Sequence, residues 1–219
     1  MKTKRVYLYS AYQRIWHWLQ ALIIILLLLT GLEIHAPESF PVFGFAAAVA
    51  VHSVLGFVLI ANALFGLFYH LTTGRIREYL PEPHDFFTMA GRQALYYLRG
   101  IFRGDPHPLD RRPGHKLNPL QQVTYLAILN ILLPLQALTG LLIWGLQRWP
   151  EWAGALGGLA VLGPAHTLIA WMFGAFLVLH VYLTTTGHTP TAHLRAMITG
   201  WDETPEHDVL PESKTEEQE

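Results

Sequence analysis

The 219-residue chain contains no cysteine, and only 14% of its residues are charged. The absence of cysteine excludes disulfides, thiolate metal sites, iron–sulfur clusters and thioether-attached haem. The charged fraction is well below the value of about a quarter that is typical of soluble proteins, while 52% of the residues are hydrophobic. The composition is therefore that of a membrane protein in which any metal is held by ligands other than cysteine.

Charges of the two signs nearly cancel, with 15 lysines and arginines against 16 aspartates and glutamates. The resulting net charge of −1 predicts no nucleic acid or other polyanion as a partner. The first apolar run follows a charged N-terminal segment, but no small-residue cleavage site comes after it. We therefore interpret this run as an uncleaved membrane helix rather than as a signal peptide.

Four apolar runs are long enough to cross a membrane. The first, between Arg14 and Glu33, contains 18 uncharged residues, which is enough for a helix across a hydrocarbon core roughly 30 Å thick. The predicted fold is an all-α integral membrane four-helix bundle. A single domain is predicted over residues 1–200, followed by a disordered acidic tail at 201–219. We place spans one to four near residues 13–34, 45–70, 120–146 and 160–184.

The distribution of positive charges predicts the orientation of the spans. The N-terminal segment and the connection between spans two and three are rich in lysine and arginine. The connections after spans one and three contain a single lysine or arginine between them, Arg148. By the positive-inside bias, both termini and the long middle connection are cytoplasmic. The charges on which this prediction rests are Lys2, Lys4, Arg5, Arg14, Arg75, Arg77, Arg92, Arg99, Arg103, Arg111, Arg112 and Lys116.

The middle connection contains the stretch DFFTMAGRQALYYLRGIF, in which aromatic and aliphatic residues alternate with arginines. Such a mixture is typical of an amphipathic helix that lies on a membrane surface. We therefore predict a surface helix between spans two and three, with a solvated loop as the alternative interpretation.

Histidine is abundant, and five of the twelve histidines fall within or at the edges of the predicted spans. On span four, His166 and His180 are 14 residues apart, so they share nearly the same face and are separated by about 21 Å along the helix axis. Span one rises from the cytoplasm, which brings His17 level with His180. Span two descends, which brings His52 level with His166. The fifth residue, His70, lies at the inner end of span two.

Two neutral imidazoles that face each other across a gap are the expected axial ligands of a low-spin b-type haem. The two depth-matched pairs therefore predict two haems b. His17 and His180 would bind the iron of the inner haem. His52 and His166 would bind the iron of the outer haem.

Three further residues share these helix faces. Gly31 follows His17 by 14 residues, and Gly66 follows His52 by the same number. We interpret both glycines as clearance for a porphyrin, with close helix packing as the alternative. His70 follows His52 by 18 residues on the same face, which leaves open the alternative that it replaces His17 as the inner ligand.

The segments RIWHWLQA, VHSVLGF, NPLQQVTY and AHTLIAWMFGAFLVLH resemble those of the bacterial di-haem cytochrome b subunits. This group includes the membrane anchors of respiratory formate dehydrogenase and nickel–iron hydrogenase, the thiosulfate reductase cytochrome b subunit and bacterial cytochrome b561. The resemblance extends over about residues 8–200, and the ending GHTPTAHLRAMITGW looks most like the thiosulfate reductase type. It implies the same two histidine pairs as haem ligands and a multi-pass location in the bacterial inner membrane.

The resemblance implies an electron-transfer subunit of a respiratory oxidoreductase complex. Such a subunit passes electrons between the quinone pool and a periplasmic partner with iron–sulfur, molybdopterin or multihaem centres. In these anchors the quinone lies near the inner haem, beside the segment that enters span three. Here that segment is HKLNPLQQ, so Asn118 is the implied quinone ligand, with Lys116 and Gln121 as neighbours. Asn118 and Pro119 also fit a helix N-cap followed by proline.

Two other functions remain compatible with the sequence. A self-sufficient quinone oxidoreductase of the cytochrome b561 type would use a small diffusible redox partner instead of a subunit. A histidine-lined transporter of metal or haem would use the intramembrane histidines as transient ligands. Transporters commonly contain intramembrane charges or broken helices, and the only interruption expected in these spans is Pro134 in span three.

Overall fold

The structure, a computed structural model, describes residues 3–79, 86–105, 119–146, 148–187 and 189–205. Within these ranges the chain is mainly helical and contains one antiparallel pair of strands. Short 3-10 and π-helical turns interrupt or extend several helices. The helices and strands in chain order are β1 (Thr3–Tyr7), α1 (Ala11–His35), α2 (Phe45–Thr72), α3 (Phe86–Leu95), α4 (Ile101–Arg103), α5 (Pro119–Ala127), α6 (Leu133–Trp144), α7 (Pro150–Ala155), α8 (Gly158–Thr184), α9 (Ala192–Thr199) and β2 (Trp201–Pro205).

Four helices are long and apolar enough to cross a membrane, which confirms the predicted number of spans. Span one is α1, span two is α2 and span four is α8. Span three is the helical segment Leu120–Trp144, which contains α6 and most of α5. The observed bounds differ from the predicted ones by two residues or fewer. Long apolar helices are the elements that satisfy their own backbone hydrogen bonds in hydrocarbon.

Span three contains a π-helical segment, Ile128–Leu132, shortly before Pro134. Proline has no N–H to donate, and its ring collides with the carbonyl group four residues earlier in a regular α-helix. A π-helical turn widens the helix locally and accommodates the ring. The sequence analysis counted Pro134 as the only interruption, but Pro164 lies inside span four as a second one.

The chain forms two compact units by its contacts. One unit consists of Tyr12–Ile76 and Leu126–Leu183 and therefore contains most of the four spans. The other consists of Met1–Ala11, Arg77–Tyr125 and Thr184–Glu219. The single domain expected over residues 1–200 stays a prediction.

In the unit that contains the spans, a small buried core takes one residue from each span. Leucine, isoleucine and alanine side chains from the same helices pack against it. Phe173 comes seven residues after His166 and seven before His180, so this core lies between the two histidine levels of span four. The four core residues are Ile23, Leu59, Leu133 and Phe173.

In the other unit, β1 and β2 pair antiparallel with Tyr7 opposite Trp201. The backbone N–H groups of Leu8 and Tyr9 both donate to the carbonyl of Gly200. The described chain is mainly helical, as predicted, and this short sheet is an addition to the predicted all-α bundle. β2 begins at Trp201, the first residue of the predicted tail. The pairing joins segments far apart in sequence, so it leaves no local periodicity that a sequence reading detects. Residues 206–219 lie outside the described residues.

The predicted helix in the middle connection is present as a helical segment over residues 86–103, with a π-helical turn in its centre. Phe87, Leu98 and Phe102 are 84%, 73% and 75% exposed. Exposed apolar side chains on such a helix are what contact with a membrane surface requires. The position of this helix on a membrane stays a prediction.

Candidate functional site

Four histidines in the unit that contains the spans lie together as two pairs. The ring centres of His17 and His180 are 6.1 Å apart, with an angle of 48° between the ring planes. The ring centres of His52 and His166 are 6.2 Å apart, with an angle of 71°. Spans one and four thus contribute one pair, and spans two and four contribute the other.

The spacing within each pair fits two imidazoles that bind one iron from opposite sides. A metal–imidazole bond is about 2.0 Å long and the nitrogen is about 1.1 Å from the ring centre, so a linear arrangement separates the ring centres by roughly 6.2 Å. Among the described residues, no group of three or more histidine, aspartate or glutamate side chains is placed to hold a bare metal ion. The donor set therefore fits a metal whose remaining ligands come from a macrocycle, as in haem.

His52 is held by a threonine of span one. Its Nδ1 atom lies 2.9 Å from the hydroxyl oxygen of Thr30. The Thr30 hydroxyl donates to the carbonyl of Leu26 at 2.8 Å, so its oxygen accepts a hydrogen bond from Nδ1–H of the histidine. Since the proton is on Nδ1, Nε2 retains the lone pair that binds a metal.

Span three provides an equivalent environment for His166 of span four. Its Nδ1 atom lies 2.9 Å from the hydroxyl oxygen of Thr139, and that hydroxyl donates to the carbonyl of Leu135 at 2.8 Å. The side-chain nitrogen of Gln136 lies 3.1 Å from Nε2 of His166. Within the described residues the buried Oε1 atom of Gln136 has no hydrogen-bond partner, so no second bond prevents this amide from rotating away when a metal binds Nε2.

Glycines make room for both outer imidazoles. A Cβ atom added at Gly31 would lie 3.3 Å from Cε1 of His52, and one added at Gly140 would lie 3.1 Å from Cε1 of His166. The glycine on span one therefore leaves space for a histidine ring, where the sequence analysis expected clearance for a porphyrin.

Gly66 has a different role from the one first expected. A Cβ atom at this position would lie 2.6 Å from Nε1 of Trp16, so the glycine allows the indole ring to pack against span two. The indole N–H donates to the carbonyl of Asn62 at 3.1 Å. The role of Gly66 is therefore close helix packing, which was the alternative interpretation.

The described contacts of the inner pair differ from those of the outer pair. Nδ1 of His17 is buried and has no hydrogen-bond partner in the described part of the chain. The ring of Trp18 lies edge-on to His17 at 5.2 Å, and Phe176 stacks on His180 at 5.6 Å. A buried ring nitrogen without a partner needs an explanation, and a bound iron or cofactor group provides one.

His70, the alternative inner ligand, contacts residues of spans one and two. Its Nδ1–H donates to the carbonyl of Gly66 at 2.7 Å, and its ring centre is 5.9 Å from that of Trp16. His70 is 5% exposed, so it is a buried residue of span two that contacts span one.

The two threonines were missed by the sequence analysis, although the sequence contains a signal for them. Both belong to the tetrapeptide LTGL, which occurs at residues 29–32 in span one and at 138–141 in span three. The threonine of each copy bonds to an outer histidine, and the glycine that follows makes room for the same ring.

Two of the three residues implied in quinone binding lie outside the described residues. These are Asn118 and Lys116. Gln121 is in the first turn of α5 and is partly buried. It belongs to the unit that does not contain the histidine pairs, and its role stays a prediction.

Residues 8–200 match the sequence profile of a family described as prokaryotic cytochrome b561. The chain is 36% identical over 203 residues to the putative cytochrome YdhU of Escherichia coli (strain K12), which covers 90% of this chain and 75% of YdhU. It is 29% identical over 197 residues to a probable Ni/Fe-hydrogenase B-type cytochrome subunit of Cupriavidus necator, covering 82% of this chain and 78% of that one. It is 26% identical over 191 residues to the putative protein-methionine-sulfoxide reductase subunit YedZ1 of Azospira oryzae, covering 82% and 91%.

Proposed function

Because the chain belongs to the prokaryotic cytochrome b561 family and is a membrane cytochrome b of electron transfer, we propose that it binds two haems b. We further propose that it transfers electrons between the quinone pool and a redox subunit on the periplasmic side of the bacterial inner membrane. The observation that carries this proposal is the presence of two histidine pairs with ring centres 6.1 and 6.2 Å apart.

The residues of the chain bind and orient the two haems. His17 and His180 hold the inner haem, and His52 and His166 hold the outer one. The haems supply one-electron transfer when they are bound. The two ligands on span four are separated by about 21 Å along its axis, and an apolar core that includes Phe173 lies between them.

A partner subunit is supported by the names of two relatives and by the outer connections. Two of the similar proteins are named as subunits, one of a hydrogenase and one of a protein-methionine-sulfoxide reductase. The connections at residues 34–43 and 149–158 carry exposed aromatic side chains, including Trp152 at 74% exposure. Aromatic residues are enriched where protein partners dock. We propose that these two connections form the docking surface for a subunit with iron–sulfur, molybdopterin or multihaem centres.

The quinone is proposed to bind at the inner side, near the segment that enters span three. Quinone reduction consumes protons as well as electrons, so its site needs polar groups at the membrane edge. Asn118 and Gln121 are able to donate hydrogen bonds to a quinone carbonyl, and Lys116 is able to supply protons from the cytoplasmic side.

The number of haems tests the central proposal. The purified protein is expected to contain two haems b per chain by pyridine haemochrome assay, with a reduced-minus-oxidised spectrum of low-spin b-type haem. One haem per chain, or none, contradicts the proposal. A transporter of metal or haem would show no stoichiometric haem that is reduced and reoxidised reversibly.

The quinone site is tested by the rate at which a quinol reduces the haems. Asn118→Ala is expected to slow this reaction while leaving both haems bound. Asn130→Ala is the matched control, because this exposed asparagine of span three bonds only locally, to the carbonyl of Leu126. An unchanged rate in Asn118→Ala with full haem content rejects the site without affecting the di-haem proposal.

A further inference from the structure

The two histidine levels differ in the hydrogen bonds that their rings make. Both outer rings bond through Nδ1 to a threonine hydroxyl at 2.9 Å, from Thr30 to His52 and from Thr139 to His166. At the inner level, Nδ1 of His17 is buried without a hydrogen-bond partner among the described residues. The chain therefore provides different surroundings for the ligands of the two sites.

The threonine hydroxyls act as acceptors toward the histidines. Each hydroxyl donates its own hydrogen to the carbonyl four residues earlier, at 2.8 Å in both cases. An acceptor beside Nδ1 of each ring keeps the proton on that nitrogen and leaves Nε2 for the metal.

The arrangement occurs twice, once for each ligand of the same site. Both threonines come from an LTGL tetrapeptide, and in both copies the following glycine leaves room for the histidine ring, as the added Cβ atoms at Gly31 and Gly140 show. A single threonine beside a histidine is a common packing contact. Two copies of the same contact on both ligands of one site indicate a shared role toward the bound group.

We propose that Thr30 and Thr139 are positioning residues that lower the reduction potential of the outer haem by accepting hydrogen bonds from its two histidine ligands. This inference rests on the proposed di-haem function. An acceptor at Nδ1–H makes Nε2 a stronger electron donor, and stronger donation stabilises ferric iron more than ferrous iron. One electron reduces ferric to ferrous iron, and the proton stays on Nδ1 in both oxidation states.

The test is a redox titration of the purified haem-loaded protein with Thr30→Val and Thr139→Val. Valine has nearly the shape of threonine and lacks only the hydroxyl. The outer haem is identified as the one that His52→Ala removes. Each valine variant is expected to raise the outer potential by an amount that changes its reduction equilibrium threefold to tenfold, where tenfold is about 59 mV for one electron.

Three controls separate tuning from a general disturbance of the fold. The inner haem of the same sample is expected to keep its potential. Thr30→Ser and Thr139→Ser retain a hydroxyl and are expected to restore the wild-type outer potential. Thr72→Val removes a hydroxyl that bonds to the carbonyls of Phe68 and Tyr69 in the same local pattern, and it is expected to change neither potential.

Three outcomes of the redox titration contradict the inference. An unchanged outer potential in both valine variants overturns it, and so does an equal shift of both haems. Loss of the outer haem from both valine variants also overturns it, because the hydroxyls would then be needed for retention of the haem rather than for its potential. If only one variant loses the haem, the other still provides the measurement. A wild-type protein without two haems would instead refute the proposed function.

Discussion

Several polar side chains inside the spans bond to groups of the same or a neighbouring span, because an unsatisfied polar group in hydrocarbon costs several kcal/mol. The side-chain nitrogen of Asn62 on span two donates to the side-chain oxygen of Gln20 on span one. The indole N–H of Trp16 donates to the backbone carbonyl of the same asparagine. These bonds join spans one and two at a level close to His17 and so help to set its depth.

Single histidine substitutions test the assignment of ligands. His17→Ala is expected to remove the inner haem and keep the outer one, and His52→Ala is expected to do the converse. Each variant would retain about half of the haem, because only one of the two proposed sites loses a ligand. Haem content and the reduced-minus-oxidised spectrum measure this. His70→Ala is the matched control and is expected to retain both haems. Loss of the inner haem from His70→Ala but not from His17→Ala would show that the inner ligand is misassigned.

Substitution of Glu33, at the outer end of span one, is expected to lower the stability of the protein. Its carboxylate is 1% exposed and accepts hydrogen bonds from the backbone N–H groups of Phe43 and Gly44, at the start of span two. Glu33→Ala leaves both N–H groups without this acceptor, which is expected to lower the free energy of unfolding by about 1 to 3 kcal/mol. Thermal unfolding followed by circular dichroism measures the loss.

Glu38 provides the control for that measurement. It lies in the same connection and is exposed, so Glu38→Ala is expected to leave the unfolding midpoint nearly unchanged. Equal midpoints for the two alanine variants would mean that the buried carboxylate contributes nothing to the stability of this connection.

Among the elements, spans one and two are held together by contact between a large and a small residue. The indole of Trp16 packs where Gly66 has no side chain. Small residues at helix contacts are a common device in membranes, where lipid is as apolar as the helix surfaces and close packing drives association. The position of the glycine on span two thus decides how closely span one approaches near the inner histidine pair.

Gly66→Ala tests this contact between the two helices. The added Cβ atom would lie 2.6 Å from Nε1 of Trp16, so the indole or the helix must shift. Overpacking of this kind is expected to lower stability by about 1 to 3 kcal/mol, and thermal unfolding in detergent measures it. Gly56→Ala, on the same span with nothing within 4 Å of the added atom, is the control. A Gly66→Ala variant as stable as Gly56→Ala would show that the contact does not constrain the helices.

In the described part of the chain four helices are long and apolar enough to cross a membrane, and four crossings would place both termini on the same side. The predicted side depends on the lysines and arginines of the N-terminal segment and the middle connection. The proposed partner would then meet the two short outer connections, and the quinone segment would lie at the cytoplasmic side.

Single introduced cysteines test this orientation, and the cysteine-free chain is a background without reactive thiols. In spheroplasts, whose inner membrane is intact, a membrane-impermeant maleimide is expected to label Ser39→Cys, in the exposed connection after span one. It is expected to spare Arg103→Cys, in the exposed end of the middle helix, until the membrane is broken. The reverse pattern would invert the predicted orientation and place the partner on the cytoplasmic side.

Much of the architecture could be predicted from local features of the chain. Span number and bounds follow from apolar length, because a helix must satisfy its own backbone in hydrocarbon. The pairing of His17 with His180 and of His52 with His166 was expected from helix rise and alternating direction, and the structure brings these rings together. The family was recognised from the motifs and is confirmed. Each of these features is a property of one segment or of a simple periodicity.

The remaining features depend on contacts between distant segments. The hydrogen bond from His52 to Thr30, the packing of Trp16 against Gly66 and the pairing of β1 with β2 each join residues from different parts of the chain. No periodicity specifies which side chain fills the space beside a glycine. That choice is made when the helices pack, because close packing and the cost of unsatisfied polar groups select one arrangement among those that the sequence pattern allows.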